Sequence, residues 1–122
     1  MDQIVSFVPD LIFRSRIAET VRALGFELKN ARTYEDLLSA AERVGPKIVL
    51  LDLNSVSFDL SELTSKLCAL ASPPVVVTFY SHVDVELAER ARTAGIEHLF
   101  PRSKFFSHLE GILERFGGPD SA

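Results

Sequence analysis

Asp52 is the residue whose type and position best suit chemistry, because it ends the apolar stretch Ile48-Val49-Leu50-Leu51. Side chains that are apolar on both faces predict a central parallel strand covered by helices above and below. A carboxylate at the end of such a strand lies at the carboxyl edge of the sheet, where open α/β folds bind their ligands. A second interpretation is that Asp52 caps the turn into the next helix. Both interpretations fit this stretch.

Other combinations of reactive residues give weaker signals. The three histidines, His82, His98 and His108, lack the spacing of metal ligands. Residues 81–84 contain a serine, a histidine and an aspartate, but neighbours on one loop rarely reach one another as a catalytic triad must. Glycine-rich phosphate-binding motifs are absent from the sequence, which argues against nucleotide binding.

Length and composition predict a single globular domain. The chain has 122 residues, of which 47% are apolar and 25% charged. We expect one domain over residues 1–117 and a loose tail over residues 118–122. The net charge of −4 disfavours nucleic-acid binding. The sequence has no apolar run of the roughly 20 residues that cross a bilayer and no secretory signal pattern, so we expect a cytoplasmic protein without membrane contact.

Cys68 is the single cysteine, which excludes an intrachain disulfide or a thiolate-cluster metal site. It follows Leu63 and Leu67 in an apolar segment. We therefore expect its thiol to pack in the core.

Five strands and five helices are predicted in strict alternation. The strands lie near residues 4–8, 26–31, 47–51, 75–79 and 96–100. Asp10, Thr33 and Ser103 are the predicted N-caps of the first, second and last helices, and Thr33 with Asp36 has capping-box spacing. Strict alternation predicts an α/β fold with a doubly wound parallel sheet.

The chain resembles the receiver domain of two-component response regulators from Ile4 to about Phe116. Residues 49–54 look like the strand that carries the family's phosphoacceptor, and residues 75–78 look like its fourth strand. Residues 93–96, Thr-Ala-Gly-Ile, resemble the turn before the fifth. The interval from Gly25 to Asp52 also matches the family.

The resemblance implies a flavodoxin-like, five-stranded parallel sheet of order 2-1-3-4-5. It implies that Asp52 occupies the phosphoacceptor position and that Asn54 supplies a metal-binding carbonyl. Thr78 matches the hydroxyl that closes on the phosphoryl group, and Arg102 replaces the family's lysine. The interval from Asp52 to Thr78 is a few residues short for the family.

The acidic pair that holds Mg²⁺ in active receivers falls on Val8 and Pro9, which offer no side-chain oxygen. Because Mg²⁺ needs oxygen ligands in near-octahedral geometry, the sequence predicts a degenerate receiver without a cofactor. Mg²⁺ binding would need Asp10 to substitute for the missing pair, with Asp10 and Asp52 as weak candidate ligands.

Arg102 suggests a different use of the pocket. Without metal or phosphate, an arginine can grip a bare carboxylate with two hydrogen bonds. We therefore expect a standing ion pair between Asp52 and Arg102. The alternative is that Arg102 points into solvent.

The last strand and helix are the expected contact surface, because their apolar residues exceed one core-facing stripe. The family's usual dimer or partner interface lies in the same region. The alternative is that the surplus covers the sheet edge. The predicted interface residues are Leu99, Phe105, Phe106, Leu109, Ile112 and Leu113.

These observations predict an atypical receiver domain that is not an enzyme and that acts through a protein partner or a homodimer, without Mg²⁺-dependent phosphorylation. Two alternatives stay open. One is a phosphorylatable receiver that uses Asp52. The other is a flavodoxin-like module that binds a small molecule in the groove at the strand ends.

Overall fold

The computed structural model describes residues 3–117, which form one five-stranded parallel sheet with helices on both faces. The strand order is β2-β1-β3-β4-β5, as predicted. The described residues contain six α-helices where five were predicted: one follows each of the first four strands, and two follow β5. The elements are β1 (Gln3–Phe7), α1 (Leu11–Ala23), β2 (Glu27–Asn30), α2 (Tyr34–Val44), β3 (Ile48–Asp52), α3 (Leu60–Cys68), β4 (Val75–Tyr80), α4 (Val85–Thr93), β5 (His98–Pro101), α5 (Arg102–Ser107) and α6 (Leu109–Gly117).

The central strand β3 is buried along its whole length, which confirms the interpretation of the apolar run. Its residues alternate between two hydrophobic layers, as the period of two in a strand requires. Val49 and Leu51 pack in the layer that contains α2, α3 and α4. Ile48 and Leu50 pack in the layer that contains α1, α5 and α6.

Two predicted caps are confirmed. Asp10 accepts a hydrogen bond from the N–H of Phe13 (3.0 Å) and caps α1, and Thr33 accepts one from the N–H of Asp36 (3.0 Å) and caps α2. The capping box is only half formed. The carboxylate of Asp36 accepts from the N–H of Arg32 (3.2 Å), one residue before the cap.

The predicted single last helix, capped by Ser103, is wrong. Helix α5 begins at Arg102, the preceding Pro101 makes no side-chain cap, and Ser103 lies inside the helix. The helical segment is interrupted at His108, after which α6 begins. This interruption lets apolar side chains from both segments turn towards the same layer of the core.

Cys68 is exposed, so the prediction that it packs in the core is wrong. Leu63 and Leu67 are buried and define the inward stripe of α3. Cys68 is the last residue of the helix and lies one position past that stripe, where a helix turns about 100° per residue.

Among residues 3–117, no helix is long and apolar enough to cross a membrane. The predicted tail, residues 118–122, lies outside the described residues.

Candidate functional site at the carboxyl edge of the sheet

Asp52 ends β3 at the carboxyl edge of the sheet and is only 2% exposed. One carboxylate oxygen, Oδ1, accepts from the N–H of Asn54 (3.1 Å), and Oδ2 accepts from the hydroxyl of Ser55 (3.1 Å). These bonds cap a 3-10 turn at Leu53–Ser55. The capping interpretation of Asp52 therefore describes its contacts in this structure.

Burial raises the pKa of Asp52 above its ordinary value of 3.8, because desolvation penalises the charged form. The hydrogen bonds from Ser55 and from the N–H of Asn54 oppose this shift, as does the positive charge of Arg102. The nearby charge of Asp10 adds slightly to the increase. Desolvation dominates, so Asp52 sits in an environment that disfavours a bare anion.

The end of β1, where the family's acidic pair would lie, is closed by polar contacts from β2 and α1. Val8 is fully buried, and its N–H donates to the side-chain oxygen of Asn30 (3.0 Å). The same oxygen accepts from the hydroxyl of Ser6 (2.9 Å). The guanidinium of Arg14 donates to the carbonyl of Val8 (3.4 Å). The β1 end thus offers the cleft no side-chain oxygen.

The residues at this edge do not fit Mg²⁺. In the described part of the chain, no three histidine, cysteine or acidic side chains are grouped so that they could hold a metal ion. Both oxygens of Asp52 already accept hydrogen bonds, and Asp10 uses one of its oxygens as the cap of α1. Mg²⁺ requires several oxygens in near-octahedral geometry, and this edge does not provide them.

Thr78 is not part of the cleft, so its predicted role is wrong. It pairs with Leu51 in the β3–β4 ladder, whereas Asp52 pairs with Phe79. Because neighbouring positions of a strand face opposite sides, Thr78 and Asp52 lie on opposite faces of the sheet. The buried hydroxyl of Thr78 donates to the carbonyl of His98 on β5 (3.0 Å).

Asn54 acts through its side chain, which joins the two loops beside the cleft. Its Oδ1 accepts from the N–H of Ser81 (2.7 Å), and its Nδ2 donates to the carboxylate of Asp84 (3.3 Å). Asp84 also accepts from the N–H of Leu87 (3.2 Å) and caps α4. Sequence reasoning missed Ser81 and Asp84. The short interval from Asp52 to Thr78 was the available signal, since it indicated that a later residue ends β4 beside Asp52.

Arg102 does not form the predicted ion pair with Asp52 within the described residues. Its guanidinium carbon lies 4.7 Å from the ring centre of Phe13, a cation–π contact. The side chain is half-buried, so the alternative that it points into solvent is also wrong. The Nε of Arg102 is buried without a hydrogen-bond partner. The guanidinium of Arg102 therefore rests on Phe13 of α1, and it acts on Asp52 through its charge without a direct ion pair.

Solved structures with the same architecture are response-regulator receivers. A response regulator from Hahella chejuensis aligns with a TM-score of 0.82 over 98% of each chain, at 12% identity. The receiver domain of a sensor histidine kinase from Pseudomonas aeruginosa, solved with a magnesium ion in its active-site cleft, aligns with a TM-score of 0.79, at 18% identity, over 96% of this chain and 98% of its own. This chain has the receiver fold.

The sequence comparisons give no match. No protein-family model matches the chain, and the search of curated proteins finds no match. A third receiver-fold structure is an atypical orphan response regulator described as revealing a phosphorylation-independent regulatory mechanism. It aligns with a TM-score of 0.71 over 92% of each chain, at 13% identity.

The predicted interface on the last strand and helices of this receiver fold is mostly core. Four of its six residues are buried in the hydrophobic layer that also contains α1, so the prediction is wrong for them. These four are Phe105, Leu109, Ile112 and Leu113. Their burial fits the alternative that the surplus covers the sheet edge, and a partner contact through this region stays a prediction. Leu99 and Phe106 are half-buried and pack against the core.

Proposed function

We propose that this chain is a receiver domain of a two-component signalling protein that acts through protein contacts, without Mg²⁺-dependent phosphorylation of Asp52 and without enzymatic activity of its own. The observation that carries the proposal is the state of Asp52. Both of its oxygens accept hydrogen bonds from the adjoining turn, and the neighbouring strand end supplies no carboxylate.

The requirements of phosphoryl transfer support this proposal. Catalysis of that reaction depends on positioning and on neutralising the charge of the transferring oxygens, for which a metal ion is the strongest local agent. Val8 is buried and Pro9 has no polar side-chain atom, so the end of β1 supplies no carboxylate to hold a metal ion beside Asp52.

The loop contacts support the same proposal. In a phospho-switch, the phosphoryl group orders the loops around it. Here Asn54 already joins the loop after β3 to the loop after β4, through Ser81 and Asp84. The loops have an internal connection that needs no phosphate. The phosphorylation-independent receiver-fold regulator found by structural comparison is compatible with such a mode of action.

Phosphorylation of Asp52 is the second candidate function. Asp10 is exposed and close enough for its charge to raise the pKa of Asp52, so a cation shared by the two carboxylates is the arrangement that would restore the chemistry. Asp10 caps α1 with Oδ1, so its Oδ2 would be the oxygen that binds such a cation together with Asp52.

Small-molecule binding at the strand ends has less support. Asp52 is almost fully buried, and a cavity of about 770 Å³ lies elsewhere, between α1 and the β2 edge. Its lining includes Arg14, Arg22 and Lys29 but not Asp52.

Intact-mass spectrometry after incubation with acetyl phosphate and Mg²⁺ tests the proposal. We expect the mass to stay unchanged under conditions that modify a receiver carrying the acidic pair, which serves as the positive control. A single phosphoryl adduct that disappears in Asp52→Asn would overturn the proposal in favour of phosphorylation.

A further inference from the structure

The most exposed large apolar side chains of the described residues lie at one end of the molecule. Leu11 and Ile12 are 65% and 71% exposed, and Val83 and Val85 are 75% and 66% exposed. The first two open α1, directly after β1, and the other two flank the start of α4, after β4. Because parallel strands end at the same edge of a sheet, all four surround the carboxyl edge that contains Asp52.

Single exposed apolar residues are normal, but four at one edge indicate a contact surface. Leu11 and Ile12 follow the N-cap Asp10 in the first turn of α1, and Val83 and Val85 stand on either side of Asp84, the N-cap of α4. The buried residues of these helices are different ones: Ile17 and Val21 in α1, and Leu87, Ala88 and Ala91 in α4.

The charges beside the two apolar pairs have opposite signs. Arg16 lies four residues after Ile12 on α1, and Glu89 lies four residues after Val85 on α4, so each charge is beside an apolar side chain on its helix surface. We call Leu11, Ile12 and Arg16 the α1 patch, and Val83, Val85 and Glu89 the α4 patch. The first turn of α1 contains no acid, whereas that of α4 contains Glu86.

Both charged side chains are accessible. Arg16 is exposed, and its guanidinium carbon rests 4.3 Å from the ring centre of Phe106. Glu89 contacts Arg92 at 3.4 Å, but the two side chains are 71% and 56% exposed, and such surface pairs contribute little. Each patch therefore combines an apolar pair with a charge available to a partner.

We infer that the partner for this surface is a second copy of the chain, in a two-fold dimer that joins the α1 patch of each copy to the α4 patch of the other. An isologous interface requires a surface that complements itself after a two-fold rotation. Two patches of equal make-up and opposite charge on one end of the molecule meet that requirement.

The fold places the patches suitably for such a rotation. Strands β1 and β4 are separated by β3, so their ends lie about 10 Å apart at two strand spacings. Helix α1 packs on one face of the sheet and α4 on the other. A two-fold axis perpendicular to the strands, just beyond the end of β3, would turn a second copy end to end. It would place the α1 patch of each copy opposite the α4 patch of the other and cover the cleft at Asp52. The inference deepens the proposed function by naming the contact surface.

Sedimentation velocity over a range of concentrations tests the dimer. With only four apolar side chains per copy we expect a weak association, with a dissociation constant on the order of micromolar or above. Arg16→Glu and Glu89→Arg should each weaken it by about 10-fold, and the double variant should recover most of the loss, because it restores opposite charges across each junction. Arg22→Glu, the same change at the far end of α1, is the matched control and should leave the association unchanged.

Mixing two damaged variants tests the pairing of the patches. Leu11→Ser/Ile12→Ser and Val83→Ser/Val85→Ser should each be monomeric alone, while their mixture should form a heterodimer, since one intact junction remains. A chain that stays monomeric at all concentrations would overturn the inference, and so would a dimer that keeps its affinity in Arg16→Glu. The phosphorylation assay is independent of this result, so the proposed function and the dimer can fail separately.

Discussion

Asp10 and Asp52 lie at the same edge of the sheet and differ chiefly in burial. Each accepts a hydrogen bond from a main-chain N–H just beyond it in the chain. Asp10 is exposed and caps α1, whereas Asp52 is 2% exposed and also accepts from Ser55. Carboxylates with similar capping contacts therefore experience different electrostatic environments.

Because of this difference, the carboxylate at the end of the central strand is not the accessible one. Asp52 occupies the end of the central strand, but its burial raises its pKa and its oxygens are engaged. Asp10 is accessible, but it belongs to the start of a helix and stands one residue past the positions of the family's acidic pair. The proposed function rests on this division, because the place at the end of the central strand and the accessibility to solvent belong to two different carboxylates.

Val8→Asp should change the free energy of unfolding most, because it adds a carboxylate at the buried end of β1. Val8 is fully buried in the layer with Ile4 and Ile17, and an unpaired polar group there would lower the free energy of unfolding by about 3 kcal/mol. Urea denaturation measures the change, with Val8→Ala as the control for lost volume. A variant as stable as the wild type, and stabilised further by Mg²⁺, would show that the cleft can hold the cation after all.

Asp10→Ala should lower the free energy of unfolding by about 1 kcal/mol, the usual value for losing an N-cap. The N–H of Phe13 would lose its partner in that variant. Asp10→Asn keeps the capping oxygen and is the control that should stay close to the wild type. Equal stability of all three proteins in urea would contradict the capping role and free Asp10 for a function at the cleft.

The features that sequence predicted correctly are either local or follow from a pattern of the whole chain. The buried strand β3 follows from an apolar run, and the caps at Asp10 and Thr33 follow from a polar residue before a helical pattern. The order of the sheet was expected from the family resemblance and is the one observed. Each of these depends on neighbouring residues or on a pattern shared across the whole chain.

The features that sequence missed depend on register and packing. A one-residue difference in strand pairing moves a side chain to the other face, and this decides that Thr78 binds the carbonyl of His98 instead of facing Asp52. The position of Arg102 depends on Phe13, a residue 89 positions away in the chain that α1 brings alongside α5. Such contacts leave no periodic signal in the sequence.

Arg102→Ala should lower the free energy of unfolding by a smaller amount, about 0.5–1 kcal/mol, which is the usual contribution of a cation–π contact. Amide chemical shifts measure where the change is felt. We expect the largest shifts in α1 near Phe13, since the guanidinium rests on that ring. Shifts concentrated at Asp52 and Asn54 would instead indicate that Arg102 forms an ion pair with Asp52 in solution.

Asp52→Asn should change the free energy of unfolding least, and it should raise it where the other variants lower it. Because the pKa of Asp52 is raised in the folded state, this group favours folding most when it is protonated, and that contribution is lost as the pH rises from the unfolded value near 3.8 through the folded pKa. Asparagine keeps an acceptor oxygen for the N–H of Asn54 and carries no charge, so at neutral pH the variant should be more stable, by about 0.5 kcal/mol or less. The advantage should vanish in acid, where both side chains are neutral. Urea denaturation of both proteins across this pH range makes the comparison. A wild type that is the more stable protein at neutral pH would mean that a cation balances Asp52 in the fold, and the contrast with Asp10 would then disappear.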